Sequence, residues 1–292
     1  MDFAQLKTLV RIESDNNDFI DASKKIESAV STINQVDLIT IVNSIGAIPE
    51  DIKHDSSEEK LYSKLSDCVL ARCFQILGLK ARVLQERANS ADVFAESPIH
   101  GYTLIGDAKV FRLSRTAKNQ KDFKVQSMVH WKGDNDFAIL VCPYFQYPTS
   151  KSQIYGQALD GNVCLFSWEH LSILLSMNIC ESKNINLSSL WNFSGYHGNH
   201  TTVSEKNLCF LNQQDSFFIK QTKLSKKAFE KYLSSFKENI AQLGETEISY
   251  WQSYIDKIKG YSHEEAISEL IKSLKINEKI SAIQKYVDSL KG

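Results

Sequence analysis

The chain has 292 residues, 42% hydrophobic and 24% charged, with a formal net charge of −1. That is an ordinary soluble globular mix, enough for one large domain or two small ones, and it is not a polycation. No apolar run approaches the roughly 20 residues needed to span a bilayer, which excludes an integral helical membrane protein.

Met1-Asp2-Phe3-Ala4-Gln5 lacks the basic region and apolar stretch of a secretory signal, so the expected location is cytoplasmic. Cys68, Cys73, Cys142, Cys164, Cys180 and Cys209 form no close pairs of metal-ligand spacing, and most sit in apolar runs. They read as buried cytosolic thiols.

In chain order, residues 1–78 read as helical. Val36–Val42 and Glu58–Leu77 show helical spacing, the second with a stripe of Leu61, Leu65, Cys68, Val69 and Phe74. Ser44-Ile45-Gly46, with Pro49 beyond, predicts a helix end, and Gly78 another. Residues 79–178 read as an α/β core with strands near 80–86, 92–96, 102–109, 136–142 and 162–167. The last two are nearly continuous apolar runs, which suits a mixed or parallel sheet covered on both faces. A helix over 117–132, started by Thr116, bridges the third and fourth strands. Beyond Ser167 the pattern is helical again: Trp168–Leu175 leads off, with His170 on a helix face. Ser194–Ser204 is a polar loop. Lys223–Leu290 reads as several amphipathic helices, with Tyr250, Trp251, Tyr254 and Ile258 on one apolar stripe that marks core or a subunit interface. The expectation is one domain over 1–292, its C-terminal part from 179 mainly helical.

The chemistry gathers in the core. Tyr102-Thr103-Leu104-Ile105-Gly106-Asp107-Ala108-Lys109 is a β-favouring run ending in an acid and a base. Side chains alternate along a strand, so Asp107 and Lys109 project from one side. Asp92 leads a second short run, and Pro98-Ile99-His100-Gly101 between them reads as a turn. A hairpin built on that turn brings Asp92 alongside Asp107. Two convergent carboxylates suit Mg²⁺, a hard ion that takes carboxylate, water and phosphate oxygens. Such an ion lowers the pKa of a bound water and offsets charge on a phosphodiester. Lys109 can orient that water, take its proton, or stabilise negative charge. The plain alternative is a solvated ion pair at a strand end.

From Lys109 to Lys124 there are six basic residues, Lys109, Arg112, Arg115, Lys118, Lys121 and Lys124, against the single acid Asp122. This local positive charge is what a nucleic acid partner needs. Asn matches adenine N6 and N7, Lys matches guanine O6 and N7, and Asp accepts from cytosine N4. Asn119, Lys121 and Asp122 therefore form a base-reading set for double-stranded DNA, with Arg112, Arg115, Lys118 and Lys124 on phosphates or neighbouring bases. The alternative is a solvated basic helix start.

Phe111-Arg112-Leu113-Ser114-Arg115-Thr116-Ala117-Lys118-Asn119-Gln120-Lys121-Asp122-Phe123-Lys124-Val125, with Asp107-Ala108-Lys109 before it, resembles the HindIII-type family of type II restriction endonucleases. Ser44-Ile45-Gly46, Glu59-Lys60-Leu61, Phe145–Thr149, Leu165–Leu171, Leu190–Phe193, Tyr250-Trp251 and Glu264–Ile267 carry the resemblance along the chain. It implies the restriction-endonuclease-like α/β fold, a central mixed β-sheet flanked by helices, with helical N- and C-terminal regions. It implies a homodimeric Mg²⁺-dependent nuclease, with Mn²⁺ as a substitute, that cuts the palindrome 5′-AAGCTT-3′ after the first A. The implied metal ligands are Asp92, Asp107 and the carbonyl of Ala108, with Glu86 as an extra candidate. The implied DNA-binding run includes Ala117, and Asp122 either assists catalysis or reads a base. A cognate methyltransferase is expected in the same host, without a stable complex. Two other functions use parts of the same residues: a DNA-binding protein without catalysis, and a less specific metal-dependent repair nuclease.

Overall fold

The computed structural model describes residues 1–84, 90–115, 120–148, 152–198 and 210–289. The predicted Glu86, Thr116, Ala117, Lys118 and Asn119 lie outside the described residues.

Four helices come first: α1 (Phe3–Asn16), α2 (Phe19–Ser31), α3 (Gln35–Ile45) and α4 (Ser57–Ile76). Asp2, Asp18, Asn34 and Ser56 cap their N-termini, each side chain accepting from a backbone N–H of the first turn. Gly46 stands at the end of α3, as predicted.

A five-stranded sheet follows, in the order β1 (Lys80–Val83), β2 (Val93–Glu96), β3 (Thr103–Ala108), β4 (Phe137–Cys142), β5 (Val163–Ser167). β1–β2 and β2–β3 are antiparallel, and β3–β4 and β4–β5 are parallel. The strands fall where the sequence predicted, one residue shorter at several ends, and β1 ends at Val83. Between β3 and β4 lie α5 (Gln120–Phe123) and α6 (Val125–Lys132); between β4 and β5 lies α7 (Gln153–Gly161). After β5 come α8 (Trp168–Ser176), α9 (Ser188–Trp191), α10 (Phe193–Gly198), α11 (Phe210–Thr222) and α12 (Lys226–Lys259), with two further helices beyond them.

The sheet is covered on both faces. Leu104, Ile139, Val141, Cys164 and Phe166 join the core of α1–α4 and α8, whereas Ile105, Ala138, Leu140, Cys142 and Leu165 join that of α6 and α7. This is the mixed, helix-flanked α/β architecture expected from the sequence. Gly106 sits where α4 crosses β3. A Cβ there would lie 3.2 Å from Leu70 Cδ2 and 3.3 Å from Phe74 Cε2, so glycine permits the close approach.

Three expectations need correction. The helix over 117–132 is not continuous: Lys124 takes a left-handed conformation (φ +51°) between α5 and α6. Burial of Phe123 against Phe111 and Tyr147 on one side, and of Val125 and Met128 on the other, fixes the two short helices separately. Ser194–Gly198 is helical in α10, not loop, because Phe193 and Ser194 dock on β5, with the Ser194 hydroxyl donating to Val163 O at 2.6 Å. Cys180 is exposed, while Cys68, Cys73, Cys142 and Cys164 are buried.

Met1–Gln242 form one compact unit and Leu243–Gly292 another. The second holds the end of α12, then α13 (His263–Ser273) and α14 (Ile276–Ser289). No helix among the described residues is long and apolar enough to cross a membrane.

Candidate active site

The hairpin places the acids as its register requires. Val93 pairs with Gly106, and Asp92 N–H donates to Gly106 O at 3.3 Å, so Asp92 stands beside Asp107. The turn closes through Gly101, whose φ of +75° favours glycine and whose N–H donates to Ser97 O at 3.0 Å. Lys109 is anchored on both main-chain groups: its N–H donates to Val141 O at 2.7 Å, and its carbonyl accepts from Trp168 Nε1 at 3.1 Å. Its ammonium pairs with Asp107 Oδ2. Asp92, Asp107 and Lys109 are thus one cluster.

They line a cleft of about 610 Å³, together with Ala108, Lys124 and a row from α4: Ser57, Lys60, Ser63, Lys64 and Asp67. Burial, and then the neighbouring Asp107, pushes the Asp92 carboxyl up to about 7. Burial acts to lower the Lys109 ammonium, but Asp107, Asp92 and Asp67 outweigh it and hold its pKa above the ordinary value. An Asp92 carboxylate whose charge is disfavoured by burial and by a second acid is a group that a cation would stabilise. The donors of the pair are all oxygens, the set that a hard divalent cation takes, so Asp92 and Asp107 fit such an ion. His54, Asp55 and Glu59 also bring ligand atoms within 4.8 Å of one another. That group is a different matter: Glu59 already accepts from Arg112 and from the Asp55 N–H, and His54 and Asp55 are exposed.

The basic segment divides. Arg112 turns inward, donating to Pro49 O at 3.0 Å, Ile52 O at 2.7 Å and Glu59 Oε1 at 2.7 Å. It ties the strand exit to the 49–59 segment, and its donors are committed there. Arg115 pairs with Asp122 at 2.5 Å. Lys121 and Lys124 are exposed, and Lys124 reaches the cleft rim.

Sequence reasoning missed the contribution of α4. The apolar stripe of α4 predicts core alone, yet Lys64 and Asp67 are buried in the same helix. The available signal was the placement of Lys64 and Asp67 directly beside the stripe residues Leu65 and Cys68, at the edge of the apolar face. His170 is buried, not merely on a helix face. Its Nδ1 lies 2.8 Å from Ser167 Oγ and its Nε2 3.1 Å from Asp215 Oδ1. A Ser–His–Asp array invites a nucleophilic reading, but Ser167 is 1% exposed and caps α8, so no substrate reaches it.

The family described as HindIII restriction endonuclease matches residues 5–287. The type II restriction enzyme HindIII of Haemophilus influenzae is 42% identical over 277 residues, covering 95% of this chain and 92% of that protein. The chain belongs to the HindIII restriction endonuclease family of type II restriction enzymes.

Proposed function

We propose that the protein cuts both strands of DNA at the palindrome 5′-AAGCTT-3′, after the first A, using Mg²⁺ or Mn²⁺. The observation that carries the catalytic part is the register that sets Asp92 beside Asp107 with Lys109 paired to it. Asp92, Asp107 and the Ala108 carbonyl hold the cation; Glu86 is a further candidate ligand. A bound divalent ion supplies a more acidic water and offsets charge on the scissile phosphate. Lys109, kept as an ammonium by its acidic neighbours, orients the attacking water and stabilises the developing negative charge. Lys124 at the cleft rim meets a flanking phosphate, joined by Arg115 and Lys118. Asn119, Lys121 and Asp122 read base edges, with Ala117 in the same run. Arg112 acts through position, holding the strand exit against the 49–59 segment. A twofold dimer offers the same reading element to each half of a palindrome. Such an enzyme works in the cytoplasm beside a methyltransferase that protects host sites.

The test is incubation with a long DNA of known sequence, with and without Mg²⁺. Discrete fragments ending at AAGCTT, seen only with the cation, are the expected result. Intact DNA in both lanes overturns the catalytic reading, and a smear overturns the specificity.

A further inference from the structure

Helix α4 delivers a third carboxylate to the cleft. Lys60, Lys64 and Asp67 recur at helical spacing, and all three line the same cavity as Asp92 and Asp107. One and two turns further on, Leu70 and Phe74 lie against Gly106, the residue before Asp107, so α4 is locked to the strand that carries the site. Asp67 is 7% exposed, and among the described residues no side chain or backbone group hydrogen-bonds or ion-pairs with it. Buried carboxyl groups ordinarily have such partners. Asp67 is therefore a buried, uncommitted carboxyl in the wall of that cavity.

We propose that Asp67 is a further oxygen ligand of the cation centre, acting directly or through a bound water on a divalent ion held with Asp92 and Asp107. This rests on the reading of Asp92 and Asp107 as cation ligands. Three carboxylates then surround the ion, and Lys64 and Lys109 offset part of their mutual repulsion. Lys64 is held for that task by its hydrogen bond to Leu84 O at 3.4 Å.

Mn²⁺ binding to the full chain without DNA, counted from the electron paramagnetic resonance signal of the free ion, tests this. Asp67→Asn is expected to weaken Mn²⁺ binding about 10- to 100-fold. Its thermal midpoint without cation is expected to stay level or rise, because a buried acid with no hydrogen-bond partner and two carboxylate neighbours has been removed. Asp67→Glu keeps the carboxylate and is expected to bind Mn²⁺ more tightly than Asp67→Asn, which serves if the amide variant folds poorly. Asp107→Asn separates the two ideas. Weak binding in Asp107→Asn with wild-type binding in Asp67→Asn overturns the role of Asp67 alone. Wild-type binding in Asp107→Asn overturns the cation centre itself. Equal affinity of the Glu and Asn variants at position 67, with a lowered cation-free midpoint in both, marks Asp67 as a packing residue and overturns the proposal.

Discussion

Glu169 shows what a buried acid does to this protein outside the cleft. It lies in the first turn of α8, and its Oε2 accepts from the Tyr144 N–H at 2.8 Å. Burial pushes its carboxyl up to about 7 from an ordinary 4.5. The folded state therefore holds a proton that the unfolded chain has lost between those values. That contribution is complete below pH 4.5 and disappears as pH rises through 7. The difference amounts to about 3 kcal/mol. Glu169→Gln keeps an acceptor and cannot ionise, so its stability is expected to fall less steeply between pH 4.5 and 7; urea midpoints across that range check this. A wild-type slope in the variant contradicts it. Arg112 makes a second residue-scale prediction. Arg112→Ala removes the cation that the partly buried Glu59 and the buried Glu50 face and is expected to cost about 3 kcal/mol of stability. Its inward turn was invisible in the sequence, because its partners stand more than fifty residues earlier and a run of positive charge reads as surface.

At the level of elements, β2 to β5 were legible as apolar runs and β1 as an alternating one after Gly78, and the acid pair was legible because one tight turn joins its two strands. The break at Lys124 was not. It depends on where Phe123 and Val125 are buried, which is a property of the assembled core and not of local helical spacing. The break carries Lys124 to the cleft rim, where its role is electrostatic. Lys124→Ala is expected to weaken DNA binding evenly over all sequences and to reduce the salt slope by about one. Fluorescence anisotropy at several salt concentrations measures both quantities. Loss of discrimination at a single base with an unchanged slope would instead mark Lys124 as a base reader. The share of α4 in the cleft escaped the sequence for a related reason: its apolar stripe accounted for the helix, and the polar residues between looked like the solvent side.

Over the whole molecule, cutting both strands of a palindrome needs two cleavage centres related by a twofold axis. The unit Leu243–Gly292 carries exposed apolar surface that the proposed dimer could use. Ile248, Trp251, Ile255 and Ile258 alternate by threes and fours along α12, the spacing of a helix-packing seam, and all are exposed. Ile267 and Leu270 continue exposed apolar surface on α13. Ile255→Glu combined with Ile258→Glu is expected to convert a dimer into a monomer by light scattering, with loss of double-strand cutting; a dimer that persists contradicts the seam as the interface. The central claim is that Asp92, Asp107 and Lys109 are one hydrolytic centre, separate from the residues that find the site. It is tested most directly by single-turnover cleavage of a duplex holding one AAGCTT, run beside a gel-shift titration, for the wild type and Lys109→Ala. The account predicts a cleavage rate at least about 100-fold lower for the variant with specific binding retained; cleavage at the wild-type rate would contradict it.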